Sequence, residues 1–198
     1  PGTPTMDAAQ LEAPAVTPTT ARALNAAVPF TDQPVVAARP FRFRGSAEDR
    51  ERAISCLAAA QLYEAGIDER GRRAVAQVIL NRARHPAFPA SICGVVFQGA
   101  ERRTGCQFTF TCDGSLRRTL PEGWWARARA TAAAMIGGDV FAPVGLATHY
   151  HTDWVYPYWS PSLVKLRAID THLFFRWPGF WGSQAAFRRA HAGVERLP

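Results

Sequence analysis

A single glutamate, Glu64, stands at the end of an apolar, helix-like run, and its position predicts acid–base chemistry. It follows Leu57 by seven residues, so on an α-helix the two side chains differ by only about 20° in direction and Glu64 lies on the inward stripe. Burial and the negative end of a helix both disfavour a charged carboxylate, so we expect a raised pKa for Glu64. Such a carboxyl can protonate a leaving oxygen, as glycosidic cleavage requires. The plainer alternative is a structural carboxylate paired with one of the many arginines.

The surrounding sequence predicts the helices that would hold Glu64. Ser46 followed by Asp49 is typical of a capping box, which indicates a helix that begins at Ser46 and is broken by Gly66. His85-Pro86 stops the next helix. Further helices are expected from about Arg72 to Arg84, from Ser91, and over residues 121–136.

The segment "TGCQFTFTCDG" alternates aromatic with polar residues, which predicts a strand ending in an Asp-Gly turn. On that strand Gln107, Thr109 and Thr111 share one side, and Phe108 and Phe110 share the other. Residues 140–182 are expected to form loops and short strands. The sequence therefore predicts an α+β fold that is mainly helical with a small β element.

Four cysteines fit one or two disulfides in an exported protein, and the absence of a C-x-x-C pair argues against a zinc cluster. An extended strand would place Cys106 and Cys112 roughly 20 Å apart, too far to bond. They would then pair with Cys56 or Cys93, or with each other only if the chain turns back between them.

Composition divides the chain into two parts and limits its partners. Residues 1–45, rich in Pro, Ala and Thr, are predicted to be a linker or tail, and residues 46–198 a single domain. No apolar run reaches the 18 residues that a membrane span needs. The net charge of +7 suits a polyanion such as nucleic acid, anionic lipid or an anionic wall polymer. The arginines are scattered rather than aligned with aromatic residues, so we expect no nucleic-acid partner.

Several blocks of the sequence resemble, in order and with near-correct spacing, the SleB/CwlJ-type cell-wall hydrolases. The resemblance covers about Cys56 to Gly182. The blocks are "YEA" at 63–65, "GRRAVAQVILNRARHPAFPASICGVVFQG" at 71–99, "GCQFTFTCDGS" at 105–115, "LATHYHTDWVYPYW" at 146–159 and "THLFFRW" at 171–177. The chain departs from the family in "EAGIDERG", which has one residue fewer before Gly71. Asp68 stands there for the second acidic residue, and Arg72 replaces the usual glutamine.

The resemblance implies a peptidoglycan-cleaving domain with a lysozyme or lytic-transglycosylase-like core and Glu64 as its catalytic acid. It favours a lytic transglycosylase with a single catalytic glutamate, which cuts between N-acetylmuramic acid and N-acetylglucosamine. A hydrolytic muramidase is the close alternative, and its second carboxylate would be Asp68, Asp113 or Asp153. A non-catalytic wall-binding module and a metal-dependent amidase rank below these two. We expect an exported monomer of the periplasm or cell envelope that binds peptidoglycan.

Residues expected to contact the substrate come from the same blocks: Gln107, Phe108, Thr109, Tyr150, His151 and Asn81. An amide beside an aromatic ring suits an acetamido sugar. Tyr150 and His151 point to opposite faces of a regular strand, so both line the cleft only if the segment is irregular. The pair His149 and His151 suits a metal, but we rank polar cleft lining higher and expect neither a metal nor a cofactor. His172 is expected to lie in the core or to support the site indirectly.

Overall fold

The computed structural model describes residues 16–102 and 105–197, which form a mainly helical fold with one small sheet. The fold class predicted from the sequence is confirmed. The elements are α1 (Pro18–Ala27), α2 (Ala47–Ala65), α3 (Glu69–Arg84), α4 (Ile92–Val96), α5 (Glu122–Ile136), β1 (His149–Thr152), β2 (Val164–Ile169) and β3 (His172–Arg176).

Helix α2 lies at the centre of the core and ends at the site. Its predicted capping box is confirmed, since the Ser46 hydroxyl accepts from the Asp49 backbone N–H at 3.0 Å and the Asp49 side chain accepts from the Ser46 N–H. The small and aliphatic side chains of α2 are buried against α3, α4 and α5. A disulfide between Cys56 and Cys93 joins α2 to α4. Helix α2 is thereby held by packing on several sides before it reaches Glu64.

Helix α3 begins at Glu69, three residues earlier than predicted, because Asp68 caps it. The Asp68 carboxylate accepts hydrogen bonds from the backbone N–H groups of Arg70 and Gly71. A Cβ at position 71 would lie only 2.6 Å from that carboxylate, so a larger residue there would displace the capping group. The end of α3 at Arg84, before His85-Pro86, is as predicted.

The strand predicted around Gln107 is wrong, because the chain turns back over these residues. Thr109–Thr111 form one turn of 3₁₀ helix, and Cys106 bonds to Cys112 with their Cα atoms 6.5 Å apart. The Thr111 hydroxyl donates to the Phe108 carbonyl at 2.7 Å and closes the turn. Phe108 and Phe110 are both buried, so the aromatic–polar alternation marks burial and not an extended backbone.

The sheet is antiparallel with the order β1-β3-β2. Strand β1 is regular, with Tyr150 opposite Phe174 and His151 opposite Leu173 on β3. Tyr150 and His151 therefore project to opposite faces. Tyr150 faces the helices, where it packs on the rings of Phe108 and Phe174.

The part of the predicted linker that the structure describes, residues 16–45, docks on the domain and contains α1. The Asn25 amide donates to the carbonyls of Asp153 and Val155, both at 2.8 Å. The Lys165 ammonium donates to the carbonyls of Asn25 and Val28. Residues 1–15 lie outside the described part, and the division of the chain at residue 45 stays a prediction. None of the helices described is both long and apolar enough to cross a membrane.

Candidate active site

A cleft of about 290 Å³ opens where the end of α2 meets β1 and the Cys106–Cys112 loop. It brings together Glu64 and most of the residues that the sequence singled out. Its described lining consists of Glu64, Arg82, Gln107, Phe108, Thr109, Tyr150, His151, Thr152, Val155 and His172.

Glu64 is mostly buried in this cleft and accepts a hydrogen bond of 2.8 Å from the Tyr150 hydroxyl. Burial raises the pKa of Glu64, as its place on the inward face of α2 predicted. The Tyr150 hydrogen bond and the positive charge of Arg82 act in the opposite direction, and the charge of Asp113 adds to the rise. The pKa of Tyr150 is raised by burial, so its hydroxyl stays a donor.

Arg82 is the main residue that the sequence reasoning missed. Only 4% of it is exposed, and burial lowers its pKa to about 10, so it remains charged at neutral pH. Its Nε donates to the Thr148 carbonyl at 2.6 Å, and its guanidinium lies 5.0 Å from the Phe88 ring and 5.7 Å from the Phe108 ring. Its Nη1 is buried without a hydrogen-bond partner in the described residues. An arginine directly after Asn81 in the "ILNR" block was the available signal.

The loop closed by Cys106 and Cys112 presents the predicted sugar-binding residues at the rim. Gln107 and Thr109 are exposed, and the Gln107 N–H donates to the Gln98 carbonyl at 2.9 Å. Phe108 is buried between them, so its ring supports the rim and contacts Arg82 and Tyr150.

Asn81 is not brought to the cleft. It is fully buried, and its amide donates to the carbonyls of Gly145 and Ala147 at 2.9 and 2.8 Å. The side-chain oxygen of Asn81 accepts hydrogen bonds from the side chains of Gln77 and Arg84. The side-chain nitrogen of Asn81 thus holds the segment before β1 and its side-chain oxygen is engaged within α3, so we remove Asn81 from the proposed substrate contacts.

His151 borders the cleft, but its ring is engaged on the other side of β1. The ring stacks on Phe175 with centroids 5.0 Å apart, and its nitrogens lie 2.9 Å from the Thr152 carbonyl and 3.3 Å from the Ser160 hydroxyl. His149 is buried on the same face beside Thr148. In residues 16–102 and 105–197 no three His, Cys, Asp or Glu side chains come close enough to share a metal ion.

His172 lies in the cleft itself, rather than in the core or behind the site. Its ring is 5.5 Å from the ring of Tyr150, and burial lowers its pKa. The antiparallel pairing of β1 with β3, which sets Thr152 opposite His172, brings it there. Since that pairing is not visible in the local pattern, the sequence offered no signal for His172.

The three carboxylates considered as partners for Glu64 all lie outside the described cleft lining. Asp68 caps α3, and Asp153 pairs with Arg22 at 3.2 Å. Asp113 accepts from the Ser115 N–H at 2.7 Å, and its hydrogen bonds to Ser115 lower its pKa. Among the described residues that line the cleft, Glu64 is the only acidic one.

Comparisons with known proteins agree with the blocks recognised in the sequence. Residues 66–175 match the family model described as Cell Wall Hydrolase. A spore cortex-lytic enzyme of Halalkalibacterium halodurans is 35% identical over 105 residues, which are 52% of this chain and 28% of that relative. This chain therefore spans little more than a quarter of the length of the curated relative it matches.

Two solved structures are also similar. The catalytic domain of the Bacillus cereus SleB protein is 28% identical with a TM-score of 0.53, and the match covers 68% of this chain and 98% of that one. The catalytic domain of the germination-specific lytic transglycosylase SleB from Bacillus anthracis is 30% identical with a TM-score of 0.51, and the match covers 64% of this chain and 95% of that one.

Proposed function

Since this chain belongs to the cell wall hydrolase family, we propose that it cleaves the glycan strand of peptidoglycan between N-acetylmuramic acid and N-acetylglucosamine, as a lytic transglycosylase. The observation that carries the proposal is the position of Glu64. It is the only acidic residue among the described cleft residues, and burial raises its pKa. Both properties suit a lone general acid.

Glu64 begins the reaction as a carboxylic acid and gives its proton to the glycosidic oxygen. The bond from the muramic acid C1 to that oxygen then breaks, and positive charge develops on the sugar ring. The 6-hydroxyl of the same muramic acid attacks C1, and its proton passes to the Glu64 carboxylate. The product is a 1,6-anhydro-muramyl end, the acid is regenerated, and no water is consumed.

The surroundings of Glu64 support a one-carboxylate scheme. A hydrolase of the two-carboxylate kind needs a second acidic group to activate water or to stabilise the sugar cation. Asp68, Asp113 and Asp153 are each engaged in a cap, a turn or an ion pair, and none lines the cleft. Direct hydrolysis with water as the acceptor remains the rival outcome that product analysis distinguishes.

The remaining cleft residues are proposed to bind and orient the glycan. Gln107 and Thr109 are exposed at the rim, where an amide and a hydroxyl suit the acetamido and hydroxyl groups of the sugars. Tyr150 fixes the carboxyl of Glu64, and His151 forms part of the wall. Phe108 is proposed to support the loop that presents Gln107 and Thr109 to the glycan.

The disulfides of this chain support the proposal that it is an exported enzyme of the cell envelope. The described residues contain two disulfides, Cys56–Cys93 and Cys106–Cys112. Disulfides persist mainly in oxidising compartments outside the cytoplasm. The second disulfide closes the loop that carries Gln107 and Thr109, so oxidation would also shape the proposed sugar-binding rim.

The test is mass spectrometry of the muropeptides that wild type, Glu64→Gln and Glu122→Gln release from purified peptidoglycan. Glu122 is an exposed glutamate in the first turn of α5, so its variant is a matched control. We expect anhydro-muramyl ends from wild type and Glu122→Gln, and none from Glu64→Gln.

The remaining outcomes each overturn a defined part of the proposal. Reducing ends would indicate a hydrolase. Free stem peptides would move the cut to an amide bond. Equal product from Glu64→Gln would remove Glu64 from the chemistry, and binding without product from any of the three proteins would indicate a wall-binding module.

A further inference from the structure

A second cavity, of about 530 Å³, is lined by an unusual concentration of arginines. The N-terminal segment, the end of α3 and the C-terminal tail together form its wall. Among the eleven described residues that line it none is acidic, and six are arginines: Arg39, Arg42, Arg44, Arg84, Arg188 and Arg189. We call this the arginine cavity. The net charge of the whole chain is +7, so a large share of its unbalanced positive charge is gathered here.

The arginine cavity lies away from the Glu64 cleft. Arg82 in the cleft and Arg84 in the cavity are two residues apart on α3, so they project about 200° apart around the helix. No described residue lines both the cleft and the arginine cavity. An occupant of the arginine cavity would therefore leave the cleft free.

Hydrogen bonds hold together the three chain segments that form the arginine cavity. The Arg84 guanidinium donates to the Arg39 carbonyl at 2.7 Å, and the Arg189 backbone N–H donates to the Arg84 carbonyl at 3.1 Å. The Arg189 side chain donates to carbonyls of the segment after α3, including that of Phe88. These bonds join the three chain segments, so the arginines are held near one another although their charges repel.

The arginines of the cavity lack compensating charge. Within residues 16–102 and 105–197, none of the six makes an ion pair with a carboxylate. Arg84 is only 9% exposed, and its Nε is buried without a hydrogen-bond partner in the described residues, as is the Nε of Arg189. His191, at the edge of the cavity, is paired with Glu195. That carboxylate is buried, accepts the backbone N–H groups of Ile92 and Cys93, and is absent from the lining.

We propose that the arginine cavity binds phosphate groups of an anionic phosphodiester polymer of the cell envelope. Guanidinium forks match the oxygens of phosphate in bidentate fashion. Clustered cations with no acidic neighbour favour a ligand with repeated negative charge over a single carboxylate. The volume admits more than one phosphate group and suits a stretch of polymer. The choice of an envelope polymer rests on the proposed function, since such a polymer lies beside the glycan.

The first experiment is calorimetric titration of the full chain at low salt with inorganic phosphate, with a glycerol-phosphate oligomer and with acetate. The variant Arg42→Gln/Arg188→Gln removes two exposed arginines of the cavity, and Arg127→Gln/Arg167→Gln removes two exposed arginines elsewhere. We expect the oligomer to bind more tightly than phosphate and acetate least. The cavity variant should weaken oligomer binding by about tenfold or more, since hydrogen bonds between charged groups are lost, and the control should change it little. Equal binding by wild type and the cavity variant, or equal affinity for acetate, would overturn the proposal.

The second experiment separates the polymer from the glycan. Sedimentation with purified walls is compared before and after hydrofluoric acid removes the phosphodiester polymers. On intact walls, wild type should sediment better than the cavity variant. On stripped walls, the two proteins should sediment to the same extent. A difference that persists on stripped walls would contradict the phosphate assignment. The cavity variant should still release muropeptides from stripped walls at the wild-type rate, so failure of this proposal is distinct from failure of the glycan-cleaving one.

Discussion

Replacing Tyr150 by phenylalanine tests whether the protonation of Glu64 controls the reaction. The substitution removes one hydroxyl and keeps the ring that packs on Phe108 and Phe174. That hydroxyl donates to Glu64 at 2.8 Å and favours its charged form. Without it the pKa of Glu64 should rise further, because burial would meet less opposition. Since the acid works only when protonated, the fall of activity at high pH should move to higher pH.

The size of this movement follows from the strength of the hydrogen bond. A hydrogen bond to a charged group contributes about 1.5–3 kcal/mol, and about 1.4 kcal/mol corresponds to a factor of ten in a proton equilibrium. The basic limb of the profile should therefore shift upward by roughly one to two pH units. The Arg82 charge, which also favours the charged form, is unchanged in this variant, so the shift reports the lost Tyr150 hydrogen bond.

The assay is the initial rate of muropeptide release across a pH series. Tyr63→Phe is the matched control, since Tyr63 is the neighbour of Glu64 in sequence but its hydroxyl lies 3.4 Å from the Arg118 carbonyl. The control should keep the wild-type profile. A basic limb in Tyr150→Phe that stays in place or moves to lower pH would refute the assignment of that limb to Glu64.

Three further predictions concern stability. Replacing Cys56 and Cys93 by alanine should lower the free energy of unfolding by about 4 kcal/mol, because their bond closes a loop with a sequence separation of 37 residues; urea denaturation under non-reducing conditions measures this. Asn81→Ala should cost at least about 2 kcal/mol, since two buried carbonyls lose their donor, while an altered KM with unchanged stability would return Asn81 to the substrate contacts. Burial lowers the pKa of His85 to about 4, so the unfolded chain takes up its proton first as pH falls, and stability should decrease between about pH 6.5 and 4. Denaturation at several pH values should show a weaker decrease in His85→Gln.

The helices that position Glu64 were predictable because their signals are local. Ser46 and Asp49 form the capping box that their spacing indicates, and His85-Pro86 ends α3. Leu57 and Glu64 share a face because helical periodicity is regular. The predicted start of α3, at about Arg72, is too late because the Asp68 cap lets the helix begin at Glu69.

The other features that failed prediction depend on contacts that a residue pattern alone does not reveal. The alternation of Phe108 and Phe110 with polar residues fits a strand, but the bond between Cys106 and Cys112 turns the chain back. Asn81 has the same polarity whether it binds a sugar or the carbonyl of Gly145, and only the tertiary fold distinguishes the two. Arg82 illustrates the same limit, since it is one of several arginines on α3 and only the tertiary fold sets it in the cleft beside Glu64.

The balance of opposing influences on Glu64 is itself an argument for its proposed role. A structural carboxylate in this position would be served best by a full ion pair, yet Arg82 makes its hydrogen bond with the Thr148 carbonyl and acts on Glu64 only through its charge. Burial favours the acid form, while Tyr150 and Arg82 favour the carboxylate. An acid that gives up a proton and takes one back in each turnover needs both forms within reach. Burial alone would keep Glu64 in its acid form, and a close ion pair would keep it permanently ionised.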